Sequence, residues 1–405
     1  MNNTNGKLKI VTFVPMPPII HGGMEEYAYS VVESLRNQGL DVIVVTSKLR
    51  INDDNNNSKY SSGDDGYVYV QSAMLFKRPI PLSIFAFFRI FSLIIKSDII
   101  HMHSPYPFLE SFAAIVAKLF GKKIVITYHM DAKIDATPRN IIERILYPLI
   151  EKSYTLISLH WALLCSDVIC TNTLAYAKSS PIIKRHIKKI KVIYQGIRKD
   201  RYDFFSKQSA QLIREKYLDQ KYSHLVTFIG RLVPYKGLEY LIEAIHLIGR
   251  KRKVLLVIGG DGPQKEYLIN LVKKYNLDNV IFVGFVKDED LFNLIAASDV
   301  FVTPSISMLE STPIMLLSAL AVGTPVIGTS IGGTEETIPN DGVNGIIVPP
   351  KDSKALAEAI IRIIDNPRDD RIKITFKPRF WSDVAKEYAE LFYRLCNKKV
   401  KNQIV

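Results

Sequence analysis

Arg231 and Lys236, in "GRLVPYKG", stand five residues apart just after an apolar run. A guanidinium and an ammonium converging on one spot suit a diphosphate, because they neutralise charge that grows on a departing phosphate. In isolation the same pair also reads as two solvated surface cations. Glu310 precedes Pro313 and an apolar run in "ESTPIMLLSALAVGTPVIG". Its carboxylate can accept bonds from two hydroxyls, and the N–H groups that open the following helix can hold sugar hydroxyls or phosphate. Alternatively Glu310 is only a favourable charge near a helix N-terminus.

Glycines mark two more places. Gly22 and Gly23 in "HGGMEE" lie between a strand and a helix, where backbone N–H groups approach a phosphate. An ordinary tight turn has the same composition, and the spacing is not that of a dinucleotide fingerprint. Gly259 and Gly260 open "GGDGP", a strand end that can pass close under a base or ribose. His101 and His103 close one strand and His129 another, which places three imidazoles at neighbouring strand ends. No spacing makes a zinc site, and no Ser/His/Asp or Cys/His set is suggested by position.

These residues need scaffolding, and the pattern around them supplies it. "KLKIVTFVP", "GGMEEYAYSVVESLRNQG" and "LDVIVVTS" read as strand, helix, strand, the opening of a parallel sheet. Further strands are expected at "DIIHMHS", "KIVITYH", "DVICTN" and "KVIYQG", with a long helix within 139–165. A second alternating series starts near 224 and runs through "HLVTFIGRL", "KVLLVIGG", "NVIFVGFV", "DVFVTPS", "PVIGTS" and "NGIIVPP". The expected fold is α/β, with two Rossmann-like doubly wound domains facing a central cleft, where ligands bind outside the carboxyl ends of the strands. The expected boundaries are 1–197, 198–378 and a terminal amphipathic helix in 379–405, with a basic linker around 184–201. The polar stretch "INDDNNNSKYSSGDDG" reads as a surface loop.

Composition sets outer limits. A chain of 405 residues, 47% hydrophobic and 23% charged, is that of a soluble protein with two cores. Its net charge of +13 favours an anionic partner. No nucleic-acid recognition motif appears, so nucleic acid is not the expected one. Cys165, Cys170 and Cys396 show no paired or metal-type spacing. A reducing cytosol is expected, because "MNNTNGKLKIVTFV" lacks the apolar core of a signal peptide. The stretch "SIFAFFRIFSLIIKSDIIH" is too short and too charged to span a bilayer. With the basic "IIKRHIKKIK" it is instead expected to touch an anionic membrane from the cytoplasmic side, as a peripheral contact.

Taken together, the order of "GGMEEYAYSVVESLRNQG", "TYHMD", "GRLVPYKGLEYLIEAI", "GGDGP", "VGFV" and "ESTPIMLLSALAVGTPVIG" resembles the retaining glycosyltransferases of family 4, glycosyl transferases group 1 with the GT-B fold. The resemblance implies transfer of a sugar from a nucleotide diphosphate donor, with retention and without a metal or resident cofactor. It implies that Arg231 and Lys236 grip the diphosphate and that Glu310 contacts the donor sugar. Backbone around Thr312, Pro313, Ile314 and Met315 would hold sugar and phosphate, with Gly259, Gly260 and Val286 on the donor side. Gly22 and Gly23 would complete the phosphate site, and His129 would lie beside the reacting sugar. His101 and His103 are expected on the acceptor side. The last helix would cross back to the first domain.

One position departs from the family pattern of Glu, seven residues, Glu. Its second member, which would bind the ribose hydroxyls, is Ser318 here. A serine keeps one hydrogen bond and loses a charge-assisted grip, which weakens donor binding without touching the reacting centre. An active hexosyltransferase using a UDP- or GDP-sugar and a glycan or lipid-linked acceptor is therefore expected. The alternative is a non-catalytic nucleotide-sugar-binding subunit serving a partner transferase.

Overall fold

The computed structural model describes residues 7–18, 22–48, 66–75, 78–81, 84–131, 141–218, 221–308, 310, 312–366 and 376–397. The polar stretch 51–65 lies outside them. The chain divides into two units. Residues 1–172, 180–194 and 381–405 make the first, and 173–179 and 195–380 the second.

In the first unit the strands are β1 (Lys9–Val14), β2 (Asp41–Lys48), β3 (Tyr67–Leu75), β4 (Arg78–Pro81), β5 (Ile99–Ser104), β6 (Lys123–Tyr128), β7 (Val168–Thr171) and β8 (Ile190–Val192). Their order in the sheet is β4-β3-β2-β1-β5-β6-β7-β8. β3 and β4 pair antiparallel, and every other neighbouring pair is parallel. A parallel sheet is covered on both faces, which is why β5 is buried at every residue. The helices of this unit are α1 (Gly23–Asn37), α2 (Ile84–Lys96), α3 (Leu109–Leu119), α4 (Ile141–Tyr154) and α5 (His160–Cys165). A wide π-type turn, Thr155–Leu159, joins α4 to α5.

The helix Trp381–Leu395 completes this unit. Trp381 meets Tyr27 edge-on, with ring centroids 5.0 Å apart. Tyr388 bonds the Tyr27 hydroxyl at 2.9 Å and the Thr127 hydroxyl at 2.7 Å. The basic segment around 184–201 holds the strand expected at "KVIYQG", and that strand finishes the first sheet instead of leaving the segment a bare linker. β8 pairs with β7, Ile169 standing opposite Ile190.

The second unit carries β9 (His224–Ile229), β10 (Val254–Gly259), β11 (Val280–Gly284), β12 (Val300–Thr303), β13 (Val326–Thr329) and β14 (Gly345–Val348). They form one parallel sheet in the order β11-β10-β9-β12-β13-β14. Two apolar clusters cover its faces. Leu241, Ile245, Ile360 and Ile363 lie in one, and Phe292, Ile295, Leu316 and Leu320 in the other.

A Ser-Asp pair sets the start of a strand three times: "SDII" before β5, "SDVI" before β7 and "SDVF" before β12. The serine hydroxyl donates back to the preceding helix, from Ser97 to the Ile94 carbonyl, Ser166 to Leu163 and Ser298 to Leu294, at 2.8, 2.8 and 2.9 Å. The aspartate accepts an N–H from the first or second residue of the neighbouring strand: Lys9 to Asp98 at 3.0 Å, Ile124 to Asp167 at 2.8 Å, Leu225 to Asp299 at 2.9 Å. Each pair thus ends a helix and sets the level of the next strand against its neighbour.

No helix among the described residues is long and apolar enough to cross a membrane.

Candidate functional site

The second unit brings Lys236 and Glu310 together. The chain leaves β9, makes a short helical turn at Pro234–Lys236 and passes through Gly237 at φ +65°. A Cβ on Gly237 would sit 2.3 Å from the Pro304 carbonyl oxygen and 2.7 Å from the Ile306 Cγ2. Only glycine allows both the left-handed backbone and that approach. The Ile306 N–H also donates to the Tyr235 carbonyl at 2.8 Å. The loop after β9 is thereby clamped to the loop after β12, and the Lys236 ammonium is salt-bridged to the Glu310 carboxylate. Gly237 was not singled out from sequence, although it stands in the same motif as Lys236.

Burial pulls the Lys236 ammonium down, but the Glu310 carboxylate, with Tyr235, outweighs it and the pKa is raised. Repulsion from Arg231 opposes that rise. Arg231 itself is exposed. Glu310 is buried, and Ser305 Oγ lies 3.5 Å from its Oε2. Pro313 caps the helix Ile314–Ala321 with no side-chain bond. The N–H groups of Ile314 and Met315 open that helix and have no carbonyl inside it to reach. Thr312 is buried just ahead of them.

Ser318 lies one turn into this helix and is 1% exposed. Its hydroxyl donates to the Ile314 carbonyl at 3.1 Å, leaving oxygen lone pairs as its free hydrogen-bonding capacity.

Gly259 and Gly260 have a packing reason of their own. A Cβ on Gly260 would fall 1.9 Å from the Gly230 carbonyl oxygen, and one on Gly259 would fall 2.7 Å from Val286 Cγ2. The glycines let two loops touch, from Gly230 N–H to the Gly259 carbonyl at 3.0 Å and from Leu232 N–H to the Asp261 carbonyl at 2.9 Å. Their composition alone therefore does not speak for a ligand.

The remaining candidates belong to the first unit. Gly22 precedes α1 in extended conformation, and its carbonyl receives the Glu26 N–H at 2.9 Å. Nothing lies within 4 Å of a Cβ built on Gly23. The protein's own packing would admit a side chain there.

The three histidines form one buried cluster. His103 Nδ1 and His129 Nε2 are 2.9 Å apart, and His101 Nε2 is 2.8 Å from the Thr127 hydroxyl. The Tyr27 ring meets His129 edge-on at 4.9 Å. His101 and His103 have no solvent exposure, and in this structure neither ring offers a face to an acceptor. Burial lowers His129 to about 3; burial, then His129, lowers His101 to about 3. Burial, with repulsion from His101 and His129, also holds His103 well below 6.5. All three rings are neutral at pH 7.

Two sheets of this topology, with a largely buried lysine–carboxylate pair on the loops after β9 and β12, define a class. The chain is a glycosyltransferase of the GT-B fold and belongs to the glycosyl transferases group 1. The profile of that name matches residues 209–376, and the profile of Glycosyltransferase Family 4 matches residues 21–201. The O-antigen chain mannosyltransferase C of Escherichia coli is 26% identical over 93% of this chain and 91% of its own. An uncharacterized glycosyltransferase of Methanocaldococcus jannaschii is 34% identical over 50% of this chain, and the match spans 54% of that relative. Among solved structures, Anabaena Alr3699/HepE in complex with UDP is similar with TM-score 0.67 and 18% identity, covering 96% of this chain and 97% of that one. At that identity the likeness shows the fold alone.

Proposed function

We propose that this glycosyltransferase moves a hexose from a UDP- or GDP-sugar to a glycan or lipid-linked oligosaccharide at the cytoplasmic face of a membrane, with retention and without a metal. The observation that carries this reading is the Lys236–Glu310 pair with Arg231 beside it. Breaking a sugar–phosphate bond leaves charge on the diphosphate. Lys236, held by Glu310, and Arg231 meet that charge as it develops. The raised pKa of Lys236 keeps it charged for the purpose. Glu310 accepts bonds from sugar hydroxyls, and the N–H groups of Ile314 and Met315 hold sugar and phosphate oxygens. The space at Gly23 suits a phosphate lying against the start of α1. His129, neutral through burial, serves as a hydrogen-bonding partner of the sugar and not as a proton store. Its ring is held in place by His103 and Tyr27.

The test is release of nucleoside diphosphate from a panel of UDP- and GDP-sugars. Turnover should fall by roughly a hundredfold or more in Lys236→Ala and in Arg231→Ala, with melting temperatures close to wild type. Near-normal turnover in either folded variant would sink the assignment. A wild type that binds a nucleotide sugar and never releases the diphosphate would support the non-catalytic subunit instead.

A further inference from the structure

Most of the large apolar side chains exposed among the described residues fall within 85–187. On α2 and α3 they include Phe85 (80% exposed), Phe88 and Leu119 (78%). On α4, the wide turn and α5 they include Ile141, Ile145, Leu149, Ile157, Trp161 and Leu164. These elements adjoin one another within the first unit. Phe87 packs edge-on against Phe112 at 4.8 Å, and Phe91 against Phe120 at 5.4 Å, joining α2 to α3 and the turn that follows it. The Phe108 N–H donates to Ser158 Oγ at 3.0 Å, joining the start of α3 to the wide turn. Lys189 Nζ donates to the Leu164 carbonyl at 2.8 Å, joining α5 to the turn Ile183–Lys189.

The π-type turn matters for alignment. In an unbroken α-helix, Trp161 would point about 160° away from Ile145, and Leu164 about 100° away. A turn holding roughly one extra residue draws both back by about 100°. The apolar positions of α5 thus stay near the line set by Ile141, Ile145 and Leu149.

Charge says what covers this face. Exposed cations stand among the apolar residues: Arg89 on α2, Lys118 on α3, and Lys184, Arg185 and Lys188 around Ile187. α2, α5 and the turn Ile183–Lys189 contain no acid. On α4, Glu143 and Glu151 are each followed by a cation, Arg144 and Lys152. A second copy of this chain, meeting the face by two-fold symmetry, would set like charges against each other. Anionic lipid accepts both components at once.

We propose that this face of the first unit lies in the headgroup layer of an anionic bilayer, the apolar side chains entering the acyl boundary and the cations meeting lipid phosphates. The inference deepens the membrane-side acceptor proposed above and rests on it. The two fail separately, because vesicle binding is read without donor and nucleoside diphosphate release without vesicles.

The experiment is co-sedimentation of the full chain with phosphatidylcholine vesicles, with and without phosphatidylglycerol. Binding should require phosphatidylglycerol and weaken as salt is added. Phe85→Ser with Phe88→Ser, and separately Lys184→Glu with Lys188→Glu, should each weaken it by roughly tenfold or more at unchanged melting temperature. Absent binding, equal binding to both vesicle types, or full binding by either folded variant would overturn the proposal. So would a wild-type dimer in sedimentation velocity that Phe85→Ser with Phe88→Ser converts to monomer, since a second copy would then be the occupant.

Discussion

At the scale of single residues, Ser318 stands where the resemblance drawn from sequence implies a second glutamate. Its hydroxyl proton is committed to the Ile314 carbonyl, so it can serve a ribose only by accepting. We predict that Ser318→Glu lowers the donor KM by about fivefold to tenfold and changes kcat little. A charge-assisted bond exceeds a neutral one by on the order of 1 kcal/mol, and a ribose contact is present in ground and transition states alike. Steady-state kinetics on the one variant checks this, and an inert wild type that gains turnover through the substitution would contradict it. The buried histidines give a second prediction. His101 and His129 are lowered to about 3, while an unfolded histidine titrates near 6.5. Below about 6.5 the unfolded chain therefore binds more protons, so stability that is complete above that pH declines as pH falls toward 3. The slope should approach about 1.4 kcal/mol per pH unit for each ring once the pH is well below 6.5. Urea unfolding at about pH 7 and about pH 5.5 reads it, and His101→Phe should remove one ring's share of it.

At the scale of elements, the Ser-Asp pairs link helix ends to strand starts. Asp299 is the most buried of the three carboxylates and also holds Arg214, at 3.0 Å. Its loss leaves the Leu225 N–H without its acceptor and takes the carboxylate from the Arg214 guanidinium, which keeps the Ala297 carbonyl at 2.7 Å. Asp299→Ala should cost about 3 kcal/mol or more, and Asp98→Ala, at a more open position, about 1 kcal/mol. Chemical denaturation of the two variants compares them; equal costs would show that burial is not the deciding variable. Most strands and helices were legible in the sequence because parallel strands are continuous apolar runs and the helices alternate with them. β3 and the helix Ser353–Ile364 were not singled out, although "YVYVQ" alternates and "SKALAEAIIRII" has helical spacing. β8 was expected at "KVIYQG", but its place beside β7, inside a stretch whose charge also reads as a linker, came only with the pairing.

At the scale of the whole molecule, the proposed chemistry uses positive side chains and helix N–H groups where other transferases use a divalent ion. EDTA should leave diphosphate release unchanged, and added magnesium or manganese should not raise it more than about twofold. Activity abolished by EDTA and restored by either ion would overturn the metal-independent reading. The division of the chain also belongs to this scale. The final helix returns to the first unit through Trp381 and Tyr388, some 360 residues beyond Tyr27. Amphipathic spacing announced the helix, whereas its place beside Tyr27 and Thr127 became visible only with the fold.

By itself the sequence determined the α/β alternation, the family and the identity of the charged residues, because apolar periodicity and motif order are local properties. The tertiary structure decided which of those residues meet. Lys236 and Glu310 are 74 residues apart, and they touch because Gly237 lets one loop lie against the Pro304 carbonyl. The same close packing explains Gly260 without any ligand and places His101 and His103 inside the first unit. Burial, contact and the surroundings of an ionisable group are properties of the packed chain, and no window of sequence contains them.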